Sequence, residues 1–176
     1  MENFIKIAEG LDVRPALAAL ARLDPVHWIC LMSPTAPMVP LLGPDGRRRR
    51  TEALAEVWTL IEEVHAHARR VRGDGGAICY ARVGRLAPGD RVAPHADGHD
   101  GLVRRRYQVV LASGPTAVVV LGGEARSFGP GEAWQMDTSK VHWAENHDAV
   151  ERVTIIFDTQ AQGSADRRRG SASNPP

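Results

Sequence analysis

Arg104-Arg105-Arg106-Tyr107-Gln108-Val109-Val110-Leu111, then Ser113-Gly114-Pro115, then Thr116-Ala117-Val118-Val119-Val120-Leu121 and Gly122-Gly123, follow one another through the middle of this sequence. Short runs of β-branched and apolar residues, each closed by a Gly or Pro cluster, are the signature of strands joined by tight turns. The same texture continues outward from here. Further strands are expected at Ala77 to Val83, Ala133 to Met136 and Arg152 to Phe157, with turns at Pro88-Gly89-Asp90 and Gly129-Pro130-Gly131. An antiparallel sandwich or barrel is the architecture this pattern predicts.

Upstream of Gly76 the period changes. Arg14 to Leu23 is rich in Ala and Leu, carries Pro15 near its first turn and stops before Pro25, which suits a short amphipathic helix. A longer helix follows Thr51, a candidate N-cap: Leu54, Val57, Trp58, Ile61 and Val64 repeat at the three-and-four spacing of one buried face. Turn residues at Arg72-Gly73-Asp74-Gly75-Gly76 should end it near Gly73. Between the helices, Ser33 to Arg50 holds four prolines and the run Arg47-Arg48-Arg49-Arg50, so it reads as an irregular surface segment. One domain is expected, with residues 1–76 as a helical and irregular flanking region, 77–160 as the β core and 161–176 as a disordered tail with nothing to bury.

Composition narrows the partners. A formal net charge of +1 exerts no general pull on nucleic acid, and no aromatic residues interleave with the arginine run as a stacking platform would require. No apolar run approaches the roughly 18 residues of a membrane span, and the start Met1-Glu2-Asn3-Phe4 lacks a signal core, so a cytoplasmic protein acting on a small molecule or peptide is expected. The two cysteines, Cys30 and Cys79, each stand beside apolar residues and read as buried free thiols.

Chemistry concentrates in two segments. In Pro94-His95-Ala96-Asp97 an imidazole and a carboxylate stand two positions apart, which on extended backbone puts both on one face. The second segment, Asp137-Thr138-Ser139-Lys140-Val141-His142, lies far enough downstream for the chain to cross to an opposite sheet and bring His142 back to them. Two imidazoles and one carboxylate occupy one face of an octahedral iron(II), leaving three positions open; a closed structural zinc site would call for thiolates. Arg152 begins an apolar strand ten residues after His142. A keto acid chelating the iron projects its distal carboxylate inward, and the planar guanidinium fork, charged even when desolvated, suits that carboxylate. His147 is the alternative ligand to His142 but lacks the preceding Asp-x-Ser pattern. His99, close to Asp97, is either a substrate contact or a solvated loop residue, and Trp134 and Trp143 are either pocket walls or core. His65 and His67, two apart on a helix, cannot share a face.

Leu86-Ala87-Pro88-Gly89 with Val92 and Pro94-His95, Arg104-Arg105-Arg106-Tyr107-Gln108, Gly131-Glu132, and Asp137-Thr138-Ser139 leading to His142, Asn146 and Arg152 together resemble the aspartyl/asparaginyl β-hydroxylases, a family of iron(II)/2-oxoglutarate dioxygenases. The resemblance implies a mainly β double-stranded β-helix, jelly-roll or cupin-like, with N-terminal flanking helices. It also implies iron(II), 2-oxoglutarate and molecular oxygen, with His95 and His142 as iron ligands and Arg152 holding the distal carboxylate. Arg106 matches a strand arginine that contacts the co-substrate. Gln108 stands where relatives often carry His, Gly84 where some carry Ser, and Asp97 supplies a carboxylate that certain members lack. The implied reaction hydroxylates an unactivated carbon, on an amino acid or a peptidyl side chain, and releases succinate and carbon dioxide. The contrasting reading is a non-catalytic cupin-like metal- or ligand-binding module, which would keep His95, Asp97 and His142 and have no use for Arg152 or Arg106.

Overall fold

The computed structural model describes residues 2–30, 36–43, 46–49, 52–73, 76–97 and 104–160, and strands in two antiparallel sheets are their commonest element. In chain order the strands are β1 (Phe4–Ala8), β2 (Met38–Leu42), β3 (Ala77–Leu86), β4 (Arg91–His95), β5 (Arg104–Ala112), β6 (Ala117–Leu121), β7 (Glu124–Arg126), β8 (Ala133–Met136), β9 (His142–Asn146) and β10 (Arg152–Gln160). The larger sheet runs β1-β8-β5-β10-β3-β2 and the smaller β4-β9-β6-β7. From β4 onward the chain passes back and forth between the sheets, with β6 and β7 forming a hairpin within the smaller one, which is the winding of a double-stranded β-helix.

The helices α1 (Arg14–Ala21) and α2 (Ala55–Arg72) cover the outer face of the larger sheet. Val57, Trp58, Ile61 and Val64 of α2, the stripe expected from the sequence, share one core with Val83, Tyr107, Val109, Leu111, Val153, Ile155 and Phe157. Each such side chain taken out of water contributes roughly 1.5–3 kcal/mol. Tyr107 and Phe157 stack at 4.9 Å between ring centroids, joining β5 to β10 under the helix. Gly73 ends α2 in the left-handed conformation at φ 60°, as a helix C-terminus favours. A second, smaller core lies between the sheets, formed by Phe4, Val110, Val119, Leu121, Phe128, Trp134 and Met136.

Strand β10 is central and buried on both faces along nearly its whole length. Its odd residues Val153, Ile155 and Phe157 face the helices. Its even residues Arg152, Thr154, Ile156 and Asp158 face the other way, towards the smaller sheet, beside Gly84 and Arg82 of β3 and Gln108 and Arg106 of β5.

Several expectations are corrected. The segment from Ser33 to Arg50 is not wholly irregular, because Met38–Leu42 is a buried strand pairing with β3. Pro40 is tolerated there because β2 lies at the edge of its sheet and the register shifts just after it. With β1 at the opposite edge, the first 76 residues supply strands as well as helices. Cys30 is exposed and Cys79 part-buried, neither in a disulfide, so the expectation of two buried thiols fails for Cys30 outright and holds only in part for Cys79. Helix α2 begins at Ala55, behind a 3-10 turn at Glu52–Leu54. The cap Thr51, the loop residue His99, Arg50 of the basic run and the tail 161–176 lie outside the described residues.

Candidate metal and co-substrate site

His95, the last residue of β4, and His142, the first of β9, stand directly opposite each other in the antiparallel register. Their rings lie 4.2 Å apart between centroids. In each, Nδ1 meets a backbone carbonyl, Ala93 O at 2.8 Å for His95 and Lys140 O at 3.0 Å for His142. A carbonyl only accepts, so Nδ1 carries the proton and the Nε2 lone pair is left for a metal. Asp97 follows just past the end of β4, its backbone N–H donating to Thr138 O at 3.0 Å, and its Oδ2 lies 3.8 Å from His142 Nε2. The ligand atoms of all three side chains fall within 4.8 Å of one another. Burial, helped by the neighbouring His95, lowers the pKa of His142 and keeps its imidazole neutral, the form that binds a metal.

This triad opens on a cavity of roughly 630 Å3, counting its mouth, between the two sheets. Arg152 and Gln108 line it from the larger sheet. Arg152 is 6% exposed and donates through Nη2 to Gln108 Oε1 at 3.1 Å. Gln108 is neutral, and among the described residues no carboxylate pairs with Arg152. Desolvation alone pushes its pKa down to about 10. A buried guanidinium without a counter-ion is costly. A carboxylate entering the cavity removes that cost.

Asn146, at the end of β9, is fully buried and fixes how the chain re-enters β10. Its Nδ2 donates to the carbonyls of Leu86 and Val150, both at 2.9 Å, and its Oδ1 accepts from Asp148 N at 3.1 Å. Because Leu86 stands opposite Arg152 in the β3–β10 register, this latch holds the strand end that carries Arg152.

All six residues singled out from the sequence, His95, Asp97, His142, Arg152, Arg106 and Gln108, thus converge here. Arg106 also lines the cavity; its fork is taken by Asp158 and its Nη1 by Asp97. His147 is exposed and pairs with Glu145 at 2.8 Å, away from the cluster. His65 contacts Gly76 O and His67 contacts Arg70, neither near the site. Trp143 lines the cavity, whereas Trp134 belongs to the inter-sheet core, its Nε1 donating to Glu132. Two residues were missed. Asp158 and Arg82 both belong to the inward rows of their strands, and counting by twos from Arg152 along β10 would have reached Asp158.

Two facing antiparallel sheets, with a His-Asp-His cluster and a buried arginine in the cavity between them, define an oxygenase of the 2-oxoglutarate/iron(II) class. The model of the Aspartyl/Asparaginyl beta-hydroxylase family matches residues 45–162, and the chain belongs to that family. No curated protein matches it in sequence. Solved structures share its fold. A non-haem α-ketoglutarate-dependent carbocyclase, SnoK of nogalamycin biosynthesis, superposes with a TM-score of 0.72 at 13% identity, over 99% of this chain and 89% of that one. A prolyl-4-hydroxylase of Pseudomonas putida gives 0.66 at 14% identity, over 93% and 95% of the two chains. HygX of Streptomyces hygroscopicus, solved with nickel and 2-oxoglutarate bound, gives 0.65 at 13%, over 92% and 84%.

Proposed function

We propose that this enzyme hydroxylates an unactivated carbon of an amino acid or peptidyl side chain, with His95, Asp97 and His142 holding iron(II) and Arg152 holding 2-oxoglutarate. The observation that carries this reading is Arg152, a buried cation without a carboxylate partner among the described residues, in the same cavity as the triad. A metal-binding module that performs no chemistry gains nothing from such a residue. The iron and co-substrate, when bound, supply oxygen activation coupled to decarboxylation, with succinate and carbon dioxide as products.

The chain's own residues do the rest. His95 and His142 present neutral Nε2 atoms, each fixed in tautomer by a backbone carbonyl. Asp97 adds the negative charge that offsets a divalent ion. Arg152 orients the co-substrate by pairing with its distal carboxylate, and Gln108 holds the guanidinium in place from β5. The sheets and covering helices exclude water from the inner end of the cavity, which strengthens these charge contacts. In this proposal residues 77–160 carry every site residue, residues 1–76 flank and cover them, and the protein works in the cytoplasm. Among the described residues, no helix is long and apolar enough to cross a membrane.

The test is anaerobic addition of iron(II) and 2-oxoglutarate, followed by the visible charge-transfer absorption of the chelate. The band should form with the native protein and be lost in Arg152→Ala. Absence of the band in the native protein, together with no succinate over a panel of amino acids and peptides, would overturn the proposal.

A further inference from the structure

Arg106 is held between two carboxylates. Its Nε and Nη2 donate to Asp158 Oδ1 and Oδ2 at 2.7 and 2.8 Å, a side-on fork, while Nη1 reaches Asp97 Oδ2. The fork follows from register, since Asp158 of β10 stands opposite Arg106 of β5. Asp158 is 2% exposed and lies behind the cavity wall, where Arg106 and Arg82 line the cavity and interact with its charge, so it is deeper than the cluster it serves. Burial works against the charge on Arg106, but the hydrogen bonds and charge of Asp158, with the charge of Asp97, outweigh it and keep the guanidinium protonated.

A guanidinium bound to a metal ligand has two opposed effects. Its N–H fixes the carboxylate in rotation, which favours metal binding. Its positive charge repels a divalent cation a few ångströms away and draws charge out of the ligand, which disfavours it. A second carboxylate on the far side of the guanidinium cancels the second effect and leaves the first. That is the arrangement here, and it uses the only inward-facing acid of β10.

We propose that Asp158 is a positioning residue for the metal site: it neutralises Arg106, so that the guanidinium orients Asp97 without repelling the cation. The inference rests on the reading of His95, Asp97 and His142 as the ligands. It gives this chain a carboxylate relay, Asp158 to Arg106 to Asp97, from the larger sheet to the end of β4 in the smaller one.

The test is Mn2+ affinity of the full chain by titration calorimetry, for the native protein, His142→Ala, Asp158→Asn and the double variant Asp158→Asn/Arg106→Gln. Asp158→Asn, which leaves the Arg106 charge unbalanced, should weaken Mn2+ binding about tenfold or more. Adding Arg106→Gln removes that charge and should recover part of the loss, whereas a purely structural defect would deepen. Native-like affinity in Asp158→Asn, or no recovery in the double variant, overturns the proposal. If Asp158→Asn alone does not fold, the double variant decides: it is electrically equivalent to the native pair and should bind within about tenfold of the native protein, and a larger loss overturns the proposal. His142→Ala separates the two levels. Undiminished binding there would refute the ligand assignment itself, whereas Mn2+ binding that depends on His142 but not on Asp158 would refute the relay alone.

Discussion

Asn146 donates to the carbonyl of Leu86 at 2.9 Å, tying the end of β9 to the end of β3 directly opposite Arg152. Substituting Asn146→Ala strands the buried carbonyl of Leu86 and the part-buried Val150 carbonyl and Asp148 amide. The expected cost is about 2–4 kcal/mol of stability, measured by urea unfolding. A loss of 2-oxoglutarate affinity should accompany it while the triad still binds metal, since the latch acts on Arg152 and not on the histidines.

Arg152→Met separates stability from binding. Replacing a buried, uncompensated cation by a side chain of similar length should leave the melting temperature unchanged or raise it. The same change removes a charge-assisted fork, so 2-oxoglutarate affinity, read from the charge-transfer band, should fall about 100-fold. A variant that loses stability and keeps its affinity would show that Arg152 is a structural residue.

The ligand assignment distinguishes two histidines five residues apart. His142→Ala should abolish divalent-metal binding by calorimetry. His147→Ala, which removes an exposed partner of Glu145, should leave it intact. The opposite pattern would transfer the role to His147.

Burial lowers the pKa of His142 below the ordinary 6.5, so in the metal-free protein its ring should titrate under that value by NMR. The unfolded chain takes up a proton near 6.5 and the folded chain only at lower pH. The contribution of neutral His142 to stability is therefore fully present above 6.5 and is lost as the pH falls from there through the folded value. Metal-free protein should accordingly become less stable between pH 7 and 5, beyond any change seen in His142→Ala.

Gly131 sits at φ 81°, and a Cβ there would meet the carbonyl of Leu11 at 2.9 Å. Leu11 N also donates to Gly131 O at 3.1 Å, so this turn docks the segment before α1 onto the β-helix. Gly131→Ala should cost about 1–3 kcal/mol in thermal or urea unfolding, with metal affinity unchanged.

The apolar strands were legible because their residues repeat at period two and end in glycine and proline clusters; Ala133 to Met136 was read at its true bounds. Strand β9 was not read as a strand, since His142-Trp143-Ala144-Glu145-Asn146 has the composition of a site rather than of a core, and its strand conformation comes from pairing with β4 and β6. Strand β2 was hidden by the prolines around it, because a sequence does not say which strand will lie at an edge. The triad and Arg152 were legible through spacing and ligand chemistry. The partner of Arg106 was not, since Asp158 is adjacent only once β5 and β10 are placed side by side.

The alternation along β10 makes this strand a ruler with coarse graduations. Arg152 can be relocated and still face the cavity only in steps of two residues, about 7 Å, because a step of one turns it into the helix-covered core. One added methylene in a dicarboxylic co-substrate changes its length by far less than that. If Arg152 holds the co-substrate as proposed, its reach is fixed by the backbone itself, and a change of preferred co-substrate length would have to come from the neighbouring strands at Gln108 or Gly84, where side-chain size varies smoothly, and not from moving the arginine.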